Sequence, residues 1–201
     1  MADRWRRAMA TEGEMWRSMW LWVRRRRRPA ADTFGYAGAA KPILGVFIGL
    51  SLVELPIFDL IVRHVVPWRP ARWIVLVLGV WGLLWMIGLL ASLIVHPHSI
   101  DDEGLHVRRG AGIDVLVPWE NIESVGKRYR SVPSGRSVRV EEEGERRVLN
   151  LGKQTSVDVR LRRPMTFDLP TGRTEPIDEV RLGADDPDSL VRAARIVPTT
   201  A

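Results

Sequence analysis

The chain has 201 residues, 46% hydrophobic and 27% charged, with a formal net charge of +6 and no cysteine. That length allows one or two domains with a substantial core. The missing cysteine excludes a disulfide scaffold, a thiol nucleophile and any thiolate-ligated zinc or iron–sulfur site.

The composition is unevenly spread. Residues 1–42 hold ten Lys/Arg against four acids, so this segment alone accounts for the +6. Trp5, Met9, Trp16, Trp20 and Val23 recur near helical spacing. A helix over residues 3–23 gathers them on one broad face, interrupted by Glu12. Trp on the apolar side and Arg on the polar side predict a helix lying in a membrane interface. Arg24, Arg25, Arg26, Arg27 and Arg28 then run unbroken up to Pro29. Beside a membrane, such a run attracts anionic phospholipid headgroups by about 1 kcal/mol per charge. It serves equally as a topology signal on a disordered tail. Residues 30–41 (AADTFGYAGAAK) read as a small-residue linker.

Residues 43–62 are long enough to span a bilayer, although Glu54 and Asp59 lie inside. Each acid costs roughly 2.5–3.5 kcal/mol at mid-membrane on insertion scales. Residues 73–95 contain no charge, and as a helix they reach about 34 Å, enough for a hydrocarbon core of ~30 Å. The link from Arg63 to Arg72 carries Pro67 and Pro70, which suits a hairpin between antiparallel helices. The basic N-terminal zone predicts, by the positive-inside rule, that both termini are cytoplasmic. No cleavable signal peptide is expected, because the basic region is long and no small-residue cleavage site follows the apolar run.

Within the hairpin, Glu54 is an ionisable group near mid-span, two residues before Pro56; it reads first as structural helix–helix glue, with a contact to another membrane protein or an ion or substrate path as the functional alternatives. Folding the hairpin about residue 69 sets it level with position 84, where Trp81 and Trp85 offer indole N–H donors. Asp59 and Arg63 are spaced for a local ion pair near the outer interface. Gly45-x-x-x-Gly49 and Gly88-x-x-x-Ser92 allow close helix approach, and homo-oligomerisation with it.

Beyond residue 97 the period changes to two. Gly104–Arg109, Ile113–Val117, Ser124–Val132, Ser137–Glu141, Arg147–Leu151 and Ser156–Leu161 read as strands, with Met165–Leu169 and Ile177–Leu182 as further short ones. Glu141-Glu142-Glu143 reads as a solvated hairpin tip. Asp186-Pro187 opens a final amphipathic helix ending near Ile196. The fold class expected is a membrane helical hairpin (residues 43–96) followed by an all-β sandwich or barrel capped by a C-terminal helix (residues 97–201).

Residues 97–125, PHSIDDEGLHVRRGAGIDVLVPWENIESV, resemble the opening of bacterial PH-like domains, in which an apolar hairpin often leads into such a domain. The shared pattern is H-x-I-D-D-E-G-L-x-V, a turn, an apolar strand and P-W-x-x-I-x-x-V. The resemblance covers residues 97–196 and makes Gly104, Leu105, Pro118, Trp119 and Ile122 fold determinants. It implies a fold more than a function. Inositide-binding members carry a basic pattern around the first hairpin. Here Arg108 and Arg109 precede the turn but Asp114 follows it, so inositide binding is not expected.

His96, His98 and His106 lie close in sequence, with Asp101, Asp102 and Glu103 nearby, but at the membrane exit they read as interfacial rings rather than a metal site. No nucleophile elbow, phosphate loop or metalloprotease motif is present. No catalytic residue, metal or cofactor is expected, nor nucleic-acid binding. The role expected is a non-catalytic membrane-tethered scaffold or accessory subunit of the bacterial inner membrane, whose PH-like domain binds a protein or peptide. An anionic-lipid-engaging protein is the alternative, and a subunit of an oligomeric transporter, resting on Glu54, comes after it.

Overall fold

Two apolar stretches free of interior helix breakers, apart from Pro56, form long helices. A computed structural model describes residues 13, 16, 19, 20, 22, 32–38, 40–66, 68–110, 112–131, 138–170 and 172–196. Helix α1 spans Ala40–Val65 and α2 spans Arg69–Val95, with Pro70 in the first turn of α2, where a missing N–H costs nothing. Both are long and apolar enough to cross a membrane. No residue of α1 is buried by the rest of the chain. Its half-buried positions, Leu44, Ile48, Ser51, Leu55, Asp59 and Val62, recur every three or four residues and mark the seam against α2.

Among the described residues there are eleven strands, three of them (β1, β2 and β10) beyond those expected, and the expected Met165–Leu169 strand divides between the end of β8 and β9. Strand β1 (Asp32–Phe34) precedes the helices, and β2 (His98–Ile100) follows them. With β3 (Gly104–Arg109) and β4 (Ile113–Pro118) they form an antiparallel sheet in the order β1-β2-β3-β4. The linker expected over residues 30–41 is therefore in part a strand. Three residues without alternation carry no period, and it is pairing with β2 that makes them β.

A 3-10 turn (Trp119–Asn121) leads into β5 (Ile122–Ser131), followed by β6 (Val138–Glu143), β7 (Arg146–Leu151) and β8 (Gln154–Met165). The short β9 (Asp168–Leu169) and β10 (Gly172–Arg173) pair with each other, and β11 is Ile177–Leu182. The second sheet has the order β5-β8-β11-β7-β6. It is mixed, because β11 runs parallel to β7, so it departs from a simple antiparallel meander. Helix α3 (Pro187–Ile196) closes the unit.

One core joins the sheets. Leu105, Val107, Val115 and Val117 from the first meet Val125, Leu149, Val157, Val159, Val180 and Leu182 from the second, with Leu190, Val191 and Ala194 of α3. Of the residues expected as fold determinants, Leu105 and Ile122 belong to that core and Trp119 packs against it. Leu105 is fully buried, Ile122 nearly so, and Trp119 packs against the cluster while its indole N–H donates to the Asp101 carbonyl at 2.8 Å. Gly104 faces Pro118 across the β3–β4 ladder, and any Cβ there would run into the Val117 carbonyl.

Candidate functional site

The polar residues of the hairpin come first. Asp59 receives a two-pronged grip from Arg72 of α2, Nε to Oδ1 at 2.6 Å and Nη2 to Oδ2 at 2.7 Å. The expected partner, Arg63, is not the one used. Helix α1 runs on to Val65 and α2 starts at Arg69, so the hairpin turns tightly and brings Arg72 level with Asp59. Leu55 meanwhile fills the space where Gly79 has no side chain. These two contacts centre the hairpin nearer residue 66 than 69, which sets Glu54 level with the region of Gly79, about a turn away from position 84. Glu54 is exposed and, among the described residues, has no hydrogen-bond partner. The indole donors expected for it are elsewhere. Trp81 packs its ring on Trp16 at 5.5 Å between centroids, and Trp85 is exposed. Gly45 and Gly49 stand open, whereas Gly88 and Ser92 are buried in packing at the far end of α2. Arg24 to Arg28 lie outside the described residues, as does most of the N-terminal helix.

The second feature is the junction between the helices and the β-rich unit. Phe34 pairs with His98, and the Tyr36 ring lies 4.8 Å from the His98 ring. The Gly110 N–H donates to the Tyr36 hydroxyl at 2.5 Å. Asp185 accepts from the Gly38 N–H at 2.7 Å, and its own N–H donates to the Gly35 carbonyl at 2.7 Å. His98 is 2% exposed; its Nδ1 accepts from the Arg108 N–H at 3.1 Å and its Nε2 faces the Gly183 carbonyl at 2.9 Å. Burial pulls its pKa down to about 4, so the ring is neutral with the proton on Nε2. Burial also raises the Tyr36 hydroxyl above its usual range.

The other two histidines go elsewhere. His96 reaches the Ser92 carbonyl, while His106 sits between Asp101 at 3.0 Å and Asp114 at 3.1 Å. Among the described residues no group of three metal-type ligands converges. The hairpin arginines turn to internal partners, Arg108 to Asp114 and Ser99, Arg109 to the Leu151 carbonyl.

The third feature is a charged cleft of about 530 Å³ on the outward face of the second sheet. In register across that face, Arg181 of β11 stands between Asn150 of β7 and Asp158 of β8, and Glu179 stands beside Arg160. Arg181 is 4% exposed although it lies opposite the core. Its Nε donates to Glu179 at 2.6 Å, and its Nη2 to Glu143. Arg130 reaches the same Glu143 at 3.2 Å. Arg130 belongs to β5 and Glu143 to β6, the two opposite edges of the sheet, so the sheet curls over its own charged face. That curl is what buries Arg181.

The electrostatics follow from this enclosure. Arg181 holds the Glu143 carboxyl below its usual range. Burial, with Glu179 alongside, pushes Asp158 up. Burial alone would lower Arg181, but Glu143 and Glu179 together outweigh it and raise its pKa. The acidic run Glu141-Glu142-Glu143 is thus no free tip. Glu141 accepts from Asn150, Glu142 from Arg147 and Glu143 from Arg181.

Sequence reasoning misses this cleft. The signal that was available is the like spacing of Asp158-x-Arg160 and Glu179-x-Arg181 on strands whose other face is apolar.

No family model, curated protein or solved structure matches the chain.

Proposed function

We propose that this chain is a non-catalytic inner-membrane protein of a bacterium, a scaffold or accessory subunit that holds a PH-like domain against the cytoplasmic surface for a protein or peptide partner. The observation that carries the reading is the uncovered state of α1. A helix of 26 residues with none buried has no place in water, and a bilayer supplies the missing apolar cover.

The β1–β2 pairing supports two crossings. It brings the chain before the hairpin and the chain after it to one place, which requires both flanks on the same side. The basic flank favours the cytoplasmic side. The quoted motif residues, two sheets around one core and the closing helix support the PH-like assignment. Partner binding is favoured by the edge at β6, which among the described residues pairs with β7 alone. Such an edge can accept an incoming strand.

The test is photo-crosslinking in native membranes from a reactive residue placed at Arg139 on β6. One discrete adduct, lost when Val140 is changed to Pro in a protein that still folds, is the expected result. No adduct at any position of β6 overturns partner binding at this edge.

A further inference from the structure

The cleft on the outer face of the second sheet holds more guanidinium than its own acids neutralise. Arg181, Glu179 and Glu143 close on one another. Four more arginines line the same space. Arg130 shares Glu143, yet its buried Nε–H has no acceptor. Arg160 comes no nearer than 4.0 Å to Glu123, beyond hydrogen-bond reach. Arg128 and Arg146 have no carboxylate partner among the described residues, and the remaining acid at the mouth is Glu145. On the floor, the buried Asp158 Oδ1 accepts no hydrogen bond, and its sister oxygen lies 3.5 Å from Arg130 Nε.

We propose that this cleft binds a small oxyanion, a phosphate or carboxylate group, held by Arg128 and Arg146. Planar guanidinium forks match both groups with paired N–H donors. Arg128 and Arg146 are exposed at the mouth, where an incoming anion can reach them. The volume of about 530 Å³ falls among small-molecule sites. This proposal needs no protein partner, although Glu143 of β6 stands in the cleft wall.

The test uses the full chain in an uncharged detergent at pH 7.5 and fixed ionic strength. Inorganic phosphate, and in a second arm glutarate, replaces chloride while the thermal midpoint of the β-sheet signal is followed. A saturable rise over the chloride control is expected in at least one arm, and the arm that responds names the group. Arg128→Gln with Arg146→Gln raises the half-saturating concentration at least tenfold. Glu145→Gln lowers it, and Lys153→Gln leaves it unchanged. Should the double variant not fold, Arg128→Gln alone and Glu145→Gln still give opposite shifts. Equal midpoints in phosphate, glutarate and chloride overturn the proposal, as does an unaltered titration in the arginine variants. Nanodiscs with and without phosphatidylglycerol separate the sources. A phosphate response that weakens with anionic lipid assigns the oxyanion to a headgroup, and one that does not assigns it to a soluble ligand.

Discussion

Acid should loosen the β-rich unit through His98, while Asp158, whose carboxyl burial pushes up, works in the opposite direction. In the folded chain the ring is held neutral, with a pKa of about 4. In the unfolded chain it titrates near the ordinary ~6.5. Below that value the unfolded state takes up a proton that the folded state refuses, so stability falls as the pH drops. The full difference is worth about 3 kcal/mol, and about 2 kcal/mol of it is gone by pH 5. The geometry says why the proton is refused. Nδ1 already accepts the Arg108 N–H at 3.1 Å, and a protonated ring would set two donors head to head beside Arg109. Carboxylates whose pKa lies below the usual range, such as Asp114 and Glu143, stay ionised in both states between pH 6.5 and 5. Urea unfolding of the full chain in uncharged detergent, followed by far-UV circular dichroism from pH 7.5 to 5, measures the slope. His98→Gln keeps a donor for the Gly183 carbonyl. It should be weaker at pH 7.5 and much flatter toward pH 5. Wild-type stability that does not change over this range, or an equal slope in His98→Gln, would refute the reasoning.

Other outcomes follow from single contacts. Tyr36→Phe removes the acceptor of the Gly110 N–H and should cost about 1–3 kcal/mol, seen as faster hydrogen exchange at Gly110 and across residues 32–38. Gly104→Ala drives a methyl group into the Val117 carbonyl and should destabilise the sandwich by about 1–3 kcal/mol, measured by urea unfolding. Asp59→Arg or Arg72→Asp alone should lower the melting point of the hairpin, and the two together should restore most of it, because the pair joins one helix to the other. The chain has no native cysteine, so single cysteines report topology cleanly. An impermeant maleimide should label Trp68→Cys in intact spheroplasts, and Thr174→Cys only after permeabilisation.

Sequence legibility tracked how local the cause was. The charge-free run at residues 73–95 and the alternation of Ser156–Leu161 each state their element within a few residues. Asp59 shows the limit of local rules. Its spacing to Arg63 favours a pair along one helix, but the tight hairpin register brings a better-aligned guanidinium from α2. Strand β1 has no period of its own and exists because β2 passes beside it. The cleft was hidden for a related reason. Arg and Glu alternating with Val read as a solvent face, and only the curl that joins Arg130 of β5 to Glu143 of β6 turns that face inward.

The strand pairing of residues 32–34 with 98–100 also bears on how the protein is made. Synthesis runs from the N-terminus, so β1 leaves the ribosome before either helix and must wait for the whole hairpin before β2 exists to receive it. A chain that threads both helices brings the two strands together on one side. A chain that threads only one leaves them divided by the bilayer, with Tyr36 and His98 both lacking their neighbour. On the proposed two-crossing topology, the edge of the first sheet is therefore completed only in a chain whose two helices have both crossed.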